Sequence, residues 1–117
     1  MNQFDHEKLD VYRIAIEWVS LAHDITEDLP AGKGNLADQL QRAASSIPLN
    51  IAEGAGECSG AEKARFYRIA KRSATECAAV LDVAQRRSAI AAEHYGNGRS
   101  LLLRIVGMLI KLARSHS

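Results

Sequence analysis

The chain has 117 residues, 47% of them hydrophobic and 25% charged, a length and composition that predict one globular domain over residues 1–117. No apolar run approaches the ~20 residues of a membrane span, and the polar start predicts no signal peptide. Two cysteines without a CxxC spacing exclude a disulfide framework, so we expect a cytoplasmic protein with no membrane partner.

The net charge of +1 conceals two oppositely charged halves. Residues 1–57 hold ten acids and four bases, a net of −6, whereas residues 58–117 hold four acids and eleven bases, a net of +7. Such halves can attract each other within one fold or between neighbouring subunits. The basic half is also compatible with an anionic partner, although it does not require one.

The first predicted helix runs from about Asp5 to Leu29 and carries two apolar stripes at helical spacing. The first stripe consists of Val11, Ile14, Trp18, Leu21 and Ile25. The second stripe, on an adjoining face, consists of Leu9, Tyr12, Ile16 and Val19. Since one stripe suffices for a core, the second indicates that this helix takes part in self-association. Pro30, Gly32 and Gly34 then predict a turn.

The second helix is predicted from about Asn35 to Gly54, with Pro48 bending it and glycines 54 and 56 ending it. Its apolar face consists of Leu36, Leu40, Ala43, Ala44, Ile47 and Ile51. Beside that face runs a polar line, within an arc of roughly 80°. The polar line consists of Gln39, Arg42, Ser46, Asn50 and Glu53. It is either a solvated face or a set of contacts that fixes the register of the next helix.

The third helix begins at a capping box formed by Ser59 and Glu62 and is predicted to run to about Ser88. Its apolar positions are Phe66, Ala70, Ala74 (or Ser73), Cys77, Val80 or Leu81, and Ala84. Helices two and three form a hairpin around residue 57, so positions face each other when their numbers sum to about 115.

This register makes two predictions about the polar line. Gln39 faces Glu76 and Arg42 faces Ser73, which predicts an ion pair between Arg42 and Glu76 across the helices. Asn50 is predicted to bond near Arg65 or to the backbone that Pro48 frees. On this interpretation the polar line, with Ser73 and Glu76, specifies the fold and has no catalytic role.

The fourth helix is apolar from Leu101 to Leu112, and its start remains open between two positions. Gly96 and Gly98 favour a start near Arg99, whereas a start near Ala91 requires both glycines in the early turns. Four helices with short connections predict an all-α fold, an antiparallel up-down four-helix bundle.

The third helix also holds a basic stripe, five of the fifteen basic residues within ten positions. The basic stripe consists of Lys63, Arg65, Arg68, Lys71 and Arg72. It is a candidate site for RNA or single-stranded DNA, with Tyr67 stacking on a base. The alternative is a solvated face that meets the acidic first helix of the same or the next subunit. The acids of that helix are Asp10, Glu17, Asp24, Glu27 and Asp28.

No catalytic, cofactor or metal site is predicted. The four histidines, His6, His23, His94 and His116, lack the i, i+4 spacing of a helical metal site. Cys58 and Cys77 are predicted to be small apolar fillers, and we expect no nucleophile. The segment from Gly32 to Gly34 around Lys33 lacks the spacing of a phosphate-binding loop and predicts only a turn.

The block Q-x-x-R-A-A-S-S-I-x-x-N-I-A-E-G, followed by F-Y-x-I-A-x-x-S-x-x-E, carries a family resemblance. It resembles the four-helix bundle proteins encoded by intervening sequences in bacterial 23S ribosomal RNA genes, and their stand-alone relatives. The matching residues are Gln39, residues 42–47 and 50–54, Phe66, Ile69, Ala70, Ser73 and Glu76. The opening FDHEKLDVYRIAIEW is similar to the family's start. Arg72 departs from the family's usual glycine and predicts a looser contact between helices two and three.

The resemblance implies an up-down four-helix bundle and a ring-shaped homo-oligomer of five subunits. It also implies kinship with accessory subunits of reverse transcriptases in diversity-generating retroelements, where a basic ring binds nucleic acid. It implies no enzymatic activity. Two hypotheses follow. The first is a non-enzymatic interaction or scaffold protein that assembles into a ring and has an unidentified protein partner. The second is a nucleic-acid-binding accessory protein that uses the basic stripe.

Overall fold

A computed structural model describes residues 2–30 and 34–117 as an all-helical chain. A short 3-10 turn, Asp5–Lys8, precedes four helices, α1 (Asp10–Asp28), α2 (Gly34–Gly56), α3 (Gly60–Arg86) and α4 (Ala92–His116). Helix α1 packs on α2 and α4, and α3 packs on α2 and α4. The helices therefore form an up-down four-helix bundle, which confirms the fold prediction.

The first predicted helix is divided in two. Leu9 has an extended backbone, with φ −92° and ψ 128°, and separates the 3-10 turn from α1. The turn has its own contacts, since the Phe4 amide donates to the Glu7 carboxylate at 2.7 Å and the ring of His6 packs on Tyr12. The predicted start at Asp5 is therefore wrong for the α-helix.

The connection from α1 to α2 is only partly described. Gly32, at the centre of the predicted turn, lies outside the described residues, as does Lys33. Gly34 is already the first residue of α2. The helix then continues through Pro48, which is buried.

Of the two glycines predicted to end α2, Gly56 is its last residue, whereas Gly54 lies within the helix. Gly54 is a packing residue. A Cβ atom added to it would lie 2.8 Å from Cε1 of Tyr67, closer than real contacts allow. The glycine therefore lets the ring of Tyr67 approach the α2 backbone, and this role explains why it occupies a helical position.

Helix α3 has the predicted N-cap and an unpredicted C-terminal motif. The Glu62 amide donates to Oγ of Ser59 at 3.1 Å, but the Glu62 carboxylate binds Arg65 in place of the reciprocal capping bond. At the other end Ser88 has a left-handed backbone, with φ 56°. The Ala89 amide donates to the Ala84 carbonyl at 2.8 Å, so the helix ends two residues before Ser88 in a Schellman-type cap.

Helix α4 begins at Ala92, close to the earlier of the two predicted starts. Gly96 is exposed, whereas Gly98 is buried against Trp18 and Leu81. Its apolar stretch contributes Leu102, Ile105 and Leu109 to the core.

The core confirms most of the predicted apolar faces. The first stripe of α1 is buried apart from the half-buried Leu21, and the apolar face of α2 is buried throughout. The predicted core position of Phe66 is wrong, because Phe66 is half-buried and the next residue, Tyr67, takes the buried position. The second stripe of α1 stays partly uncovered, since Ile16 is 46% exposed.

The two cysteines differ. Cys77 is fully buried beside Trp18, and burial raises the pKa of its thiol to about 12, as expected of an inert filler. The Trp18 indole N–H lies beside that thiol without hydrogen-bond geometry and has no other partner in the described chain. Cys58 is exposed in the α2–α3 connection, so the filler prediction is wrong for it.

Candidate interaction surfaces

The inner part of the polar line sets the register between α2 and α3. Ser73 donates from its hydroxyl to Oγ of Ser46 at 2.8 Å. Asn50 donates to the same oxygen at 2.9 Å and to the Ser46 carbonyl at 2.8 Å. The bond from Ser73 joins the two helices and fixes their longitudinal position, and the bonds from Asn50, within α2, hold the Ser46 acceptor in place.

The observed register differs from the predicted one by about one helical turn. The numbers of Ser46 and Ser73 sum to 119, against the expected 115. Arg42 and Glu76 are both exposed, and no ion pair within 4.0 Å joins them among the described residues, so the predicted pair is wrong. The hairpin is centred later than residue 57 because α2 extends to Gly56 and residues 57–59 form the connection.

The two predicted partners of Asn50 are also wrong. Its side chain binds neither Arg65 nor the carbonyl of Ala44, the group that loses its helical donor at Pro48. The amide of Asn50 instead reaches back four residues along its own helix to Ser46.

The outer part of the polar line faces solvent. Gln39, Arg42 and Glu53 are exposed, and Leu49 beside them is 66% exposed. Both alternatives for the polar line therefore apply, each to different residues: the serine and asparagine fix the register, and the longer polar side chains cover an outer surface.

Two members of the basic stripe have local partners. Lys63 donates from Nζ to the Ala55 carbonyl at 2.8 Å and so caps the C-terminal end of α2. Arg65 binds the Glu62 carboxylate at 3.1 Å, which raises the pKa of the guanidinium, and lies 4.4 Å above the ring of Phe66. These two cations therefore stabilise the start of α3 and the end of α2.

Tyr67 does not belong to the surface of the stripe. It is only 2% exposed, its ring packs on Gly54 and lies 6.0 Å from His116, and burial raises the pKa of its hydroxyl. The predicted stacking of Tyr67 on a nucleic-acid base is therefore wrong, since a base cannot reach this ring without unpacking the bundle.

Two further cations of the stripe reach a groove between α3 and α4. Arg68 and Lys71 line this groove on one side and Arg114 on the other, around a volume of about 320 Å³. Its apolar lining is Leu109, Ile110 and Ala113. Arg72 is exposed outside the groove. The sequence does not identify Arg114 as part of this surface, because only the packing of α4 on α3 places it beside the basic stripe.

The charge asymmetry of the sequence becomes an asymmetry across the bundle. Helices α1 and α2 carry net charges of −4 and −1, whereas α3 and α4 carry +3 each. Because α1 neighbours α2 and α3 neighbours α4, one side of the bundle is acidic and the other basic. We call these the acidic face and the basic face.

The two faces barely neutralise each other within the fold. In residues 2–30 and 34–117 the one ion pair that joins the two halves is His94 with Asp28, at 3.7 Å. Each face also exposes large apolar side chains. Ile16 and Leu49 lie on the acidic face, and Val83 and Leu103, at 44% and 60% exposure, lie on the basic face.

The comparisons with known proteins identify the family. The model of the family described as 23S rRNA-intervening sequence protein matches residues 7–111. The chain belongs to this family. A crystal structure of a protein of unknown function from the S23 ribosomal protein family of Bacteroides thetaiotaomicron is similar, with a TM-score of 0.82 and 23% identity. The match covers 88% of this chain and 97% of that one and shows the shared fold. No curated protein matches the chain.

Membership of the 23S rRNA-intervening sequence family confirms the resemblance carried by the central block. Arg72 is exposed and the neighbouring Ser73 bonds across to α2, whereas the looser contact expected from Arg72 stays a prediction. Neither the family nor the Bacteroides protein has a known enzymatic activity.

Clusters of potential metal ligands and membrane-spanning helices are both absent from the described residues. No group of three or more histidine, cysteine, aspartate or glutamate side chains is placed to hold a metal ion in residues 2–30 and 34–117. In the same ranges, the helices lack the combination of length and apolar character needed to cross a bilayer.

Proposed function

We propose that this protein is a non-enzymatic interaction or scaffold protein that self-assembles into a ring-like homo-oligomer. The observation that carries the proposal is the separation of charge into an acidic face and a basic face, each with exposed apolar residues. The opposite charges attract the two faces, and burial of the apolar residues supplies stability.

The faces favour a head-to-tail contact. Contact between two acidic faces or two basic faces would bring like charges together, which opposes association. A contact between unlike faces leaves one face free on each end of a growing chain, so successive copies either close into a ring or extend as a filament. The family resemblance favours a closed ring of five subunits.

The sequence left open whether the charged halves pair within one fold or between subunits. Within the described residues, the single pair between His94 and Asp28 leaves most of the charge uncompensated. That pair is ionic only when the histidine is protonated. Pairing between subunits is therefore the better supported alternative.

A second candidate function is nucleic-acid binding by the basic stripe. Arg68, Lys71 and Arg72 have no carboxylate partner within 4.0 Å among the described residues, so they are available to phosphates. A ring would repeat this weak patch and raise its avidity for RNA or single-stranded DNA. With Tyr67 buried, binding would rest on charge alone.

Complementary variants test the assembly. Ile16→Gln with Leu49→Gln removes the apolar residues of the acidic face, and Val83→Gln with Leu103→Gln removes those of the basic face. All four are exposed, so circular dichroism should show intact helices. Light scattering should find a ring for the wild type and a monomer for each variant. A mixture of the two variants should form a dimer, because each retains one intact face.

Other outcomes argue against the proposal. A wild type that is monomeric at every protein concentration overturns self-assembly. Variants that keep the wild-type mass overturn the assignment of the two faces. Nucleic-acid binding is tested separately with Arg65→Glu and Arg72→Glu, which lie outside the α3–α4 groove. If the second function holds, this variant keeps its mass and loses a salt-sensitive shift with an RNA and single-stranded DNA pool.

A further inference from the structure

We infer that the groove between α3 and α4 receives the outer face of helix α1 from a neighbouring copy of the chain. This inference rests on the proposed self-assembly and names its interface. It starts from the lining of the groove, where Arg68, Lys71 and Arg114 surround an apolar floor. Among the described residues, no carboxylate lies within 4.0 Å of these three cations.

The groove has an apolar extension along α4. Leu103 is 60% exposed and precedes Ile110 by seven residues, which is about two helical turns, so both point to nearly the same side of the helix. From Leu103 to Arg114 the edge of α4 is about 16 Å long. An occupant that matches this edge must offer aliphatic side chains together with negative charges over a similar length.

The outer face of α1 meets both requirements. Five of its exposed residues fall within an arc of roughly 100°. They are Ile16, Glu17, Ser20, Asp24 and Glu27. The three carboxylates have no ion-pair partner in the described chain and extend over about 15 Å of helix. Arg13 is an exposed cation within the same arc, and its charge is paired with Asp10.

Charge complementarity singles out α1 among the helices. It is the most acidic helix, with a net charge of −4, whereas α2 has a net charge of −1 and exposes Arg42 on its outer surface. A carboxylate on α1 replaces the water around each groove cation, while Ile16 covers apolar lining. A nucleic-acid backbone would satisfy the cations but leave the half-buried Ile110 uncovered.

Charge reversal provides the test. The groove variant carries Arg68→Glu with Arg114→Glu, and the α1 variant carries Glu17→Lys with Asp24→Lys. We expect each pair to weaken association at least about tenfold by analytical ultracentrifugation. The chain with all four changes restores the wild-type mass, because the four exchanged charges again meet opposite charges, while Lys71 and Glu27 keep their signs.

The matched control is Arg86→Glu with Arg104→Glu, two exposed residues of α3 and α4 that do not line the groove. It changes the net charge as much as the groove variant does, and it should leave the mass unchanged. If the control dissociates as strongly as the groove variant, net charge alone governs assembly and the inference is overturned.

Different experimental results would contradict the α1 contact and the proposed self-assembly. A monomeric wild type contradicts self-assembly itself. An oligomeric wild type whose mass is insensitive to both reversals keeps the proposed function and overturns the α1 contact. A third result is a groove variant that keeps its mass but loses bound RNA, as measured by absorbance at constant protein concentration. This result assigns the groove to nucleic acid and overturns the α1 contact.

Discussion

Two aromatic rings pack against glycines at different interfaces of the bundle, and the surroundings of the two glycines differ in stiffness. At the α2–α3 interface, a Cβ atom on Gly54 would lie 2.8 Å from Cε1 of Tyr67 and 3.1 Å from Cβ of Phe66. At the second interface, a Cβ atom on Gly98 of α4 would lie 2.9 Å from Cδ1 of Leu81 and 3.1 Å from Cζ3 of Trp18.

The difference lies in which atoms can move. Cε1 belongs to a buried ring and Cβ of Phe66 is attached to the backbone, so neither can yield without shifting α3. The methyl of Leu81 is the end of a flexible side chain and can rotate away. The α2–α3 interface therefore specifies one close approach, and the interface around Trp18 retains some adaptability despite its larger ring.

The largest loss of stability is expected on removing the ring of Trp18, which fills the adaptable interface. Trp18→Ala should lower the free energy of unfolding by about 3–5 kcal/mol, because a fully buried indole is replaced by a cavity. The measurement is urea denaturation at fixed protein concentration. Trp18→Phe is the control and should stay within about 1 kcal/mol, since it keeps a ring and removes a buried N–H without a partner. If both variants lost the same free energy of unfolding, the stabilisation could not be assigned to the ring that fills the core.

The next effect tests the stiff interface. Gly54→Ala should lower the free energy of unfolding by about 2–3 kcal/mol, because the added methyl forces the ring of Tyr67 and the α3 backbone apart. The matched control is Gly56→Ala, two residues later, where a Cβ atom meets nothing within 4 Å. Denaturation should show no loss for that control, and a loss as large as that of Gly54→Ala would refute the packing role.

A smaller loss is expected at the adaptable interface. Gly98→Ala should cost about 1 kcal/mol, because rotation of Leu81 relieves part of the overlap and alanine favours the helix. Gly96→Ala, with open space around it, should instead raise the free energy of unfolding by about 0.5–1 kcal/mol. If Gly98→Ala costs more than Gly54→Ala, the proposed difference in stiffness is wrong.

The smallest effect concerns the hydrogen bond between Ser46 and Ser73. A double-mutant cycle with alanine at both positions should give a coupling energy of about 0.5–1 kcal/mol, as expected for one partly buried bond. The exposed Ser45→Ala serves as control and should change stability by less than about 0.5 kcal/mol. A coupling energy of zero would mean that the glycine contact alone sets the register.

Local patterns predicted most of the helices and their buried faces. The spacing of Val11, Ile14 and Trp18 indicated the core face of α1, and Ser59 indicated the start of α3. Glycine was harder to interpret, because the same residue favours a helix end and permits a close approach. Gly54 was predicted as a helix end and proved to be a packing residue, since only the position of Tyr67 distinguishes the two roles.

The candidate surfaces were predicted less well. The sequence indicated the basic stripe but could not show that Tyr67 is buried or that Lys63 caps α2. Phe66 and Tyr67 are adjacent, and a shift of roughly 100° around the helix decides which of them faces the core. Arg114 lies far along the chain from Arg68, so only the packing of α4 on α3 brings them to one groove.

The sequence by itself determined the all-helical class, the four amphipathic faces, the family and the opposite charges of the two halves, because these depend on local periodicity and composition. Tertiary structure decided the register at Ser46 and Ser73, the roles of the glycines and the separation of charge onto two faces. These features depend on contacts between residues distant in the chain, and a shift of one helical turn between α2 and α3 moves every pairing by about four positions.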